Sequence, residues 1–189
     1  MSTLKLLLTH GAGGNRNTAL LVDIDARLTE AGVEVVRFDL PFRQKRPHGP
    51  PRPAEAAADR AGLREKLVQM RAGADKLFVG GSSYGGRQAS MLVSEEPGLV
   101  EGLLLLSYPL HPPGKPAQLR TAHLPNISVP TLFVQGVRDP FGSPEEIEAA
   151  VRLIPSRTRL VHVAGAGHEL KGGGPVAAGA FVEFFLKAD

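Results

Sequence analysis

Val79-Gly80-Gly81-Ser82-Ser83-Tyr84-Gly85-Gly86 sets a G-x-S-x-G frame between an apolar run of strand length and a segment of helical character. Only Ser83 fits the central position. A serine in such a frame sits at a sharp strand-to-helix turn in a strained backbone conformation. The residues two before and two after it must then be small, so that strand and helix can approach. Gly81 and Gly85 meet that need. The competing explanations are a plain glycine turn and a phosphate-binding loop. No lysine follows as a P-loop requires, and the turn after the first apolar run is not G-x-G-x-x-G.

Outward from this stretch, apolar runs alternate with segments of helical period, as expected when a parallel sheet is assembled from βαβ units. The runs are Leu4–Thr9, Val33–Asp39, Lys76–Gly80, Gly102–Ser107, Thr131–Gln135 and Arg159–Val163. Most are nearly continuous in apolar residues rather than alternating, which is what strands covered on both faces require. Leu21, Ile24, Leu28 and Ala31 are spaced three, four and three apart with Gly32 as a stop, which predicts a helix. Helices are also predicted over Pro53–Arg71, from the capping box Ser143-Pro144-Glu145-Glu146, and over about Pro175–Lys187. No repeat or linker interrupts the series. The expectation is a single doubly wound α/β domain over 1–189, with a mainly parallel six-stranded sheet and helices on both faces.

A serine hydroxyl is a weak nucleophile until a neighbouring base accepts its proton. Downstream of Ser83, the run Thr131–Gln135 leads into Gly136-Val137-Arg138-Asp139-Pro140, and Arg159–Val163 leads into Ala164-Gly165-Ala166-Gly167-His168-Glu169. Asp139 and His168 therefore both lie just past the carboxyl ends of strands, the edge where open α/β sheets build their sites. Taken singly, an aspartate before proline reads as a turn former and a loop histidine as a solvated side chain. In the order Ser83, Asp139, His168 they read as nucleophile, orienting acid and general base. His162 falls inside a strand pattern and His10 precedes the nucleophile. Among acids, Asp39 also precedes it and Glu169 adjoins the proposed base, so both rank below Asp139.

Acyl transfer further needs donors aimed at the developing oxyanion. Thr9-His10-Gly11-Ala12-Gly13-Gly14 follows the first run. A turn of this kind supplies one backbone N–H, and the residue after the nucleophile supplies the other. The candidates are Ala12, with Gly13 as second choice, and Tyr84; a simple glycine turn is the competing explanation.

Together the H-G-x-G-G turn, the G-x-S-x-G frame, the Gly-x-x-Asp loop and the Gly-His loop resemble the α/β-hydrolase superfamily, and the small size resembles its compact dienelactone-hydrolase-like branch. The resemblance covers nearly the whole chain. It implies a sheet that begins at the third strand of larger members. Dienelactone hydrolase uses a cysteine nucleophile, whereas this chain has serine and no cysteine.

The connection between the fourth and fifth runs is too short for a helical lid domain. Its Tyr108-Pro109-Leu110-His111-Pro112-Pro113 stretch is proline-rich, so Tyr108 and His111 are candidate substrate contacts, with a packed turn as the alternative. Arg43, Lys45, Arg46 and Arg52 cluster in a Pro-rich loop, 43–52, that follows the second run and should overhang the same sheet edge; an arginine there, with Arg43 as the named candidate, could bind a carboxylate or phosphate on the substrate, and a solvated connection is the alternative.

Composition narrows the remaining classes. At 42% hydrophobic and 22% charged residues the chain has a globular mix, which excludes disorder and fibrous repeats. Zero cysteines exclude a disulfide framework and thiolate chemistry. The start lacks the pattern of a signal peptide, and no apolar run reaches the roughly 18 residues of a membrane span, so a cytoplasmic protein without membrane contact is expected. Ten aromatics, mostly within apolar segments, do not make a nucleic-acid platform. No metal or organic cofactor is implied. The sequence therefore predicts a serine hydrolase acting on a small-molecule ester, thioester or related acyl bond through a Ser83 acyl-enzyme. A hydrolase-fold interaction protein and an acyltransferase are the alternatives.

Overall fold

The computed structural model describes residues 3–187. Residues 1, 2, 188 and 189, the ends of the expected 1–189 domain, lie outside the described residues. Six strands form one sheet: β1 (Leu4–Thr9), β2 (Val33–Phe38), β3 (Lys76–Ser82), β4 (Gly102–Leu106), β5 (Thr131–Gly136) and β6 (Thr158–Val163). Their order is β2-β1-β3-β4-β5-β6, and every neighbouring pair is parallel. The apolar runs of the sequence are these strands, shifted by no more than a few residues at their ends.

Side chains alternate across a strand, so a continuous leucine run feeds two cores at once. Leu6 and Leu8 of β1 pack with Leu21, Ile24 and Leu28 of α1 (Ala19–Glu30) and with Phe181 of α6 (Gly174–Phe181). Leu7 packs on the other face with Leu63 and Leu67 of α3 (Ala56–Arg71), Leu92 and Val93 of α4 (Tyr84–Glu95), and Ile147 of α5 (Pro144–Val151). Strand β4 repeats the division, with Leu104 and Leu106 in the first core and Leu103 and Leu105 in the second. This is the doubly wound sheet expected from the runs.

Local signals account for the helix ends. The capping box at α5 is complete: Glu146 N–H donates to Ser143 Oγ at 3.3 Å, and Ser143 N–H donates to Glu146 Oε2 at 2.8 Å. Pro53–Glu55 forms a 3₁₀ turn that leads into α3, and the last predicted helix loosens into a wider turn over Val182–Leu186. One element departs from the sequence reading. Pro41–Lys45, expected as loop, is a short helix, α2, which buries Phe42 and Arg43. Its first residue is proline, which suits a helix start.

The chain runs from β1 out to β2 and returns to lay β3 on the opposite side of β1. The crevice where ligands bind in such sheets therefore opens between the carboxyl ends of β1 and β3. There Thr9 is in register with Gly81, and Ser83 N–H donates to the Leu106 carbonyl at 2.8 Å. A Cβ on Gly81 would stand 2.6 Å from the Gly86 amide nitrogen, and one on Gly85 would strike the His10 carbonyl oxygen.

Gly85→Ala is thus expected to lower unfolding free energy by about 2 kcal/mol or more. Gly179→Ala, in α6 with nothing near its Cβ, should be neutral or stabilising by up to about 1 kcal/mol. Urea unfolding of the two variants beside the wild type checks the contrast.

Candidate active site

Ser83 sits between β3 and α4 at φ 49° and ψ −116°, a region that non-glycine residues rarely occupy. This conformation carries its Oγ out past the end of the sheet. His168 Nε2 lies 2.8 Å from Ser83 Oγ. On the far side of the ring, His168 Nδ1 lies 3.0 and 2.9 Å from the two oxygens of Asp139. The structure thus brings together the three residues singled out in the sequence, from the ends of three different strands.

Asp139 is almost wholly buried, and its carboxylate is saturated with donors. Phe141 N–H donates to Oδ1 at 2.9 Å and Gln135 Nε2 donates to Oδ2 at 2.8 Å, while Gln135 Oε1 accepts from Tyr108 N–H at 2.8 Å. A carboxylate so fixed holds the proton of a neutral His168 on Nδ1 and leaves Nε2 as the acceptor facing Ser83. Phe141 stacks on the His168 ring, 4.0 Å between centroids and 26° from parallel.

The rival residues are committed elsewhere. His10 is fully buried: Nδ1 donates to the Gly11 carbonyl at 2.8 Å, and Nε2 accepts from Leu40 N–H at 3.1 Å. Burial lowers its affinity for a second proton below the usual histidine range, so it is a neutral strut under the turn. Asp39 accepts from Arg16 N–H at 2.6 Å, Glu169 pairs with Lys171 at 3.3 Å, and His162 lies on β6.

Ala12 and Gly13 are the central residues of a turn closed by Gly14 N–H to the Gly11 carbonyl at 3.1 Å, a bond that uses neither of their own amides. Tyr84 is the first residue of α4, where backbone N–H groups lack an intrahelical acceptor. All three line the same cavity as Ser83 and His168. Tyr84 is anchored by its hydroxyl, which donates to Asp59 Oδ2 at 2.7 Å; Asp59 is fully buried and also accepts from Phe42 N–H at 2.9 Å. Burial, together with that carboxylate, holds the Tyr84 phenol protonated far above its ordinary range.

The cavity encloses about 1320 Å³. Three residues expected to touch substrate do not line it. Arg43 turns inward on α2 and binds four carbonyls: Gly14 at 2.7 Å, Ala12 at 2.9 Å, Gly49 at 3.0 Å and Arg46 at 3.2 Å. It is a clamp on the Ala12–Gly14 turn rather than an anion receptor. Tyr108 is fully buried, with its hydroxyl donating to the Arg120 carbonyl at 2.7 Å. His111 is buried between the Pro112 carbonyl, 2.8 Å away, and Glu146 Oε2, 3.2 Å away; these acceptors raise its affinity for a proton, the backbone bond most. Both residues brace the β4–β5 connection from within.

In their place the cavity is lined by Arg52 and Pro109, from the basic loop and the proline-rich connection, and by Arg87, Gln88, Arg120 and Phe141, to which the sequence reading gave no contact role. Arg87 had a legible signal, since it lies one helical turn beyond the nucleophile. Phe141, two residues after the acid in a turn, had none. Among the described residues no group of three or more histidine, aspartate or glutamate side chains is arranged to hold a metal ion.

A lid-free, fully parallel sheet with serine at the strand-to-helix turn and an acid–histidine pair past the ends of β5 and β6 defines an α/β-hydrolase fold. The chain belongs to the alpha/beta hydrolase domain family, which it matches over residues 2–175. It is similar in structure to a dienelactone hydrolase from Anabaena variabilis, with 21% identity and a TM-score of 0.72 over 97% of this chain and 87% of that one. It is also similar to an α/β serine hydrolase without lid from Xanthomonas campestris, with 18% identity and a TM-score of 0.74 over 100% of this chain and 86% of that one. A further likeness, 52% identity to polyketide synthase ThaQ of Burkholderia thailandensis, extends over 48 residues, 25% of this chain and 2% of that protein. No helix among the described residues is long and apolar enough to cross a membrane.

Replacing Arg43 by methionine would leave the Ala12 and Gly14 carbonyls without their donor. Urea unfolding should show a loss of about 2 kcal/mol or more for Arg43→Met. Arg52→Met, at an exposed position, should shift stability by no more than about 0.5 kcal/mol.

Proposed function

We propose that the protein is a serine hydrolase that cleaves an ester, thioester or related acyl bond of a small molecule through a Ser83 acyl-enzyme. The observation that carries this reading is the unbroken series Ser83 Oγ, His168 Nε2, His168 Nδ1 and Asp139, with both contacts at hydrogen-bond distance. In this reading Ser83 Oγ attacks the substrate carbonyl as His168 Nε2 takes its proton. Asp139 stabilises the imidazolium that results and keeps the ring oriented. The carbonyl oxygen becomes an oxyanion facing the amides of Tyr84 and Ala12, with Gly13 as the alternative second donor. His168 next protonates the departing alcohol or thiol, which leaves the acyl group on Ser83. Water then enters, gives its proton to Nε2 and attacks the acyl carbonyl, and the returning proton frees Ser83.

The open cavity beside Ser83 supports catalysis over a role as a hydrolase-fold interaction protein, in which a filled pocket or a separated serine and histidine would be expected. Stacking of Phe141 on His168 supports the same reading, because it shields one face of the ring while leaving Nε2 toward the nucleophile.

A fluorophosphonate probe is expected to label the wild-type protein at Ser83 and to leave Ser83→Ala unlabelled; an unlabelled wild type would remove the nucleophile assignment. With a 4-nitrophenyl ester, Ser83→Ala should lose roughly 10⁴-fold or more in kcat. Asp139→Asn leaves the nucleophile in place but upsets the tautomer of His168. Its kcat should fall by about 10⁴-fold while slow labelling of Ser83 persists, read by mass spectrometry.

A further inference from the structure

Arg87 lies one turn along α4 from the nucleophile, its N–H donating to the Ser83 carbonyl at 2.9 Å. A helical side chain leans back toward the helix N-terminus, which here is the Ser83 end. The Arg87 guanidinium has no hydrogen bond or ion pair with any described residue, although its Nε is buried. The next residue, Gln88, is fully buried; its Oε1 accepts from Arg60 at 3.0 Å while its Nε2 has no acceptor. Both residues line the cavity. Two adjacent buried donors without acceptors are costly, and such groups ordinarily find a partner.

Arg120 lines the same cavity and also lacks a carboxylate. It is held by three bonds: its N–H to the Leu110 carbonyl at 2.8 Å, its guanidinium to the Pro109 carbonyl at 3.0 Å, and its own carbonyl to the Tyr108 hydroxyl at 2.7 Å. Burial, followed by repulsion from Arg87, lowers the proton affinity of Arg120 below the usual arginine range. Burial and the same Arg87 charge push nearby His123 down to about 4. The acids that line the cavity are engaged elsewhere, Asp23 with Arg27 at 2.9 Å and Glu169 with Lys171 at 3.3 Å. On α3, neighbouring Arg60 and Arg64 pair with Glu95 and Glu96, whereas Arg87 and Arg120 at the cavity wall have no such partner among the described residues.

We propose that Arg87 and Arg120 form an anion subsite beside Ser83, and that the substrate carries a carboxylate or phosphate a few bonds from its scissile carbonyl. The subsite rests on the serine-hydrolase reading for its consequence, though not for its ability to bind an anion. A planar guanidinium suits either oxyanion, and the terminal nitrogens of Arg87, which no described residue engages, are free to donate to a ligand oxygen in the cavity that Arg87 lines. Arg52, exposed on the rim, adds attraction for an incoming anion without a fixed contact.

The test compares 4-nitrophenyl hydrogen glutarate with its neutral counterpart, 4-nitrophenyl pentanoate. The wild type is expected to favour the glutarate ester in kcat/KM, and Arg87→Gln and Arg120→Gln should each reduce that preference by about ten- to hundred-fold. Arg87→Lys should retain part of it. A structural role for Arg87 would instead lower thermal stability and slow both esters alike. In parallel, Ser83→Ala, which needs no turnover, is titrated calorimetrically with glutarate and with inorganic phosphate; the tighter of the two identifies the oxyanion. Binding that disappears when Arg87→Gln is added supports the subsite even if no ester is hydrolysed, an outcome that would overturn the hydrolase reading alone. Equal kcat/KM for the two esters in the wild type, or a rate ratio and anion affinities that survive both arginine substitutions, would overturn the subsite.

Discussion

The backbone of Ser83, held at positive φ between the end of β3 and the start of α4, is the constraint on which the rest of this structure turns. Such a conformation persists only where its surroundings over-determine it. Here the Ser83 amide is tied to the Leu106 carbonyl of the neighbouring strand. The glycines on either side let the backbone of α4 press against β3 and against the His10 peptide at the end of β1. Any side chain at those points would push strand and helix apart and relax the turn. The exposed hydroxyl, the free amides at the start of α4 and the nearness of the Gly11–Gly14 turn all follow from this one close approach.

Around it lies a ring of buried polar side chains whose hydrogen bonds go to backbone and anchors rather than to solvent. Arg43 ties down the carbonyls of the turn after β1, His10 supports that turn from beneath, Asp59 joins α2 to Tyr84, and Gln135 joins Tyr108 to Asp139. The first three fix groups that face the cavity, the Gly11–Gly14 turn and Tyr84, and Gln135 fixes the carboxylate that holds His168. A loosely held site loses catalytic geometry with small displacements, so rigid support of this kind has direct chemical value. Arg87 and Gln88 stand apart because their donors are buried at the cavity wall yet unmatched within the protein.

The strands were legible because a parallel sheet covered on both faces must be apolar on both, and runs such as Gly102–Leu106 leave no other reading. The helices with a clear period or capping box were legible too. Helix α2 was not, since five residues beginning with proline are too few to show a period. Misplacing that element carried Arg43 with it: read as loop, its guanidinium belongs in solvent or on substrate, whereas on α2 it faces the interior. Tyr108 and His111 follow the same logic. Their neighbourhood at the sheet edge was correct, but a proline-rich connection does not reveal which of its side chains turn inward.

By itself the sequence determined the alternation of strand and helix, the serine at the tight turn, and the order of serine, acid and histidine along the chain. These depend on local pattern: side-chain periodicity, the space that glycine leaves, and the rule that strand ends share one edge of a parallel sheet. Only the tertiary structure decided that Asp139, His168 and Ser83 lie within hydrogen-bond reach, that Phe141 stacks on the histidine, and that Arg87 and Arg120 rather than Arg43 face the cavity. The physical reason is that a side chain's direction out of a loop is set by what packs beneath it. Those packing partners come from parts of the chain tens of residues away.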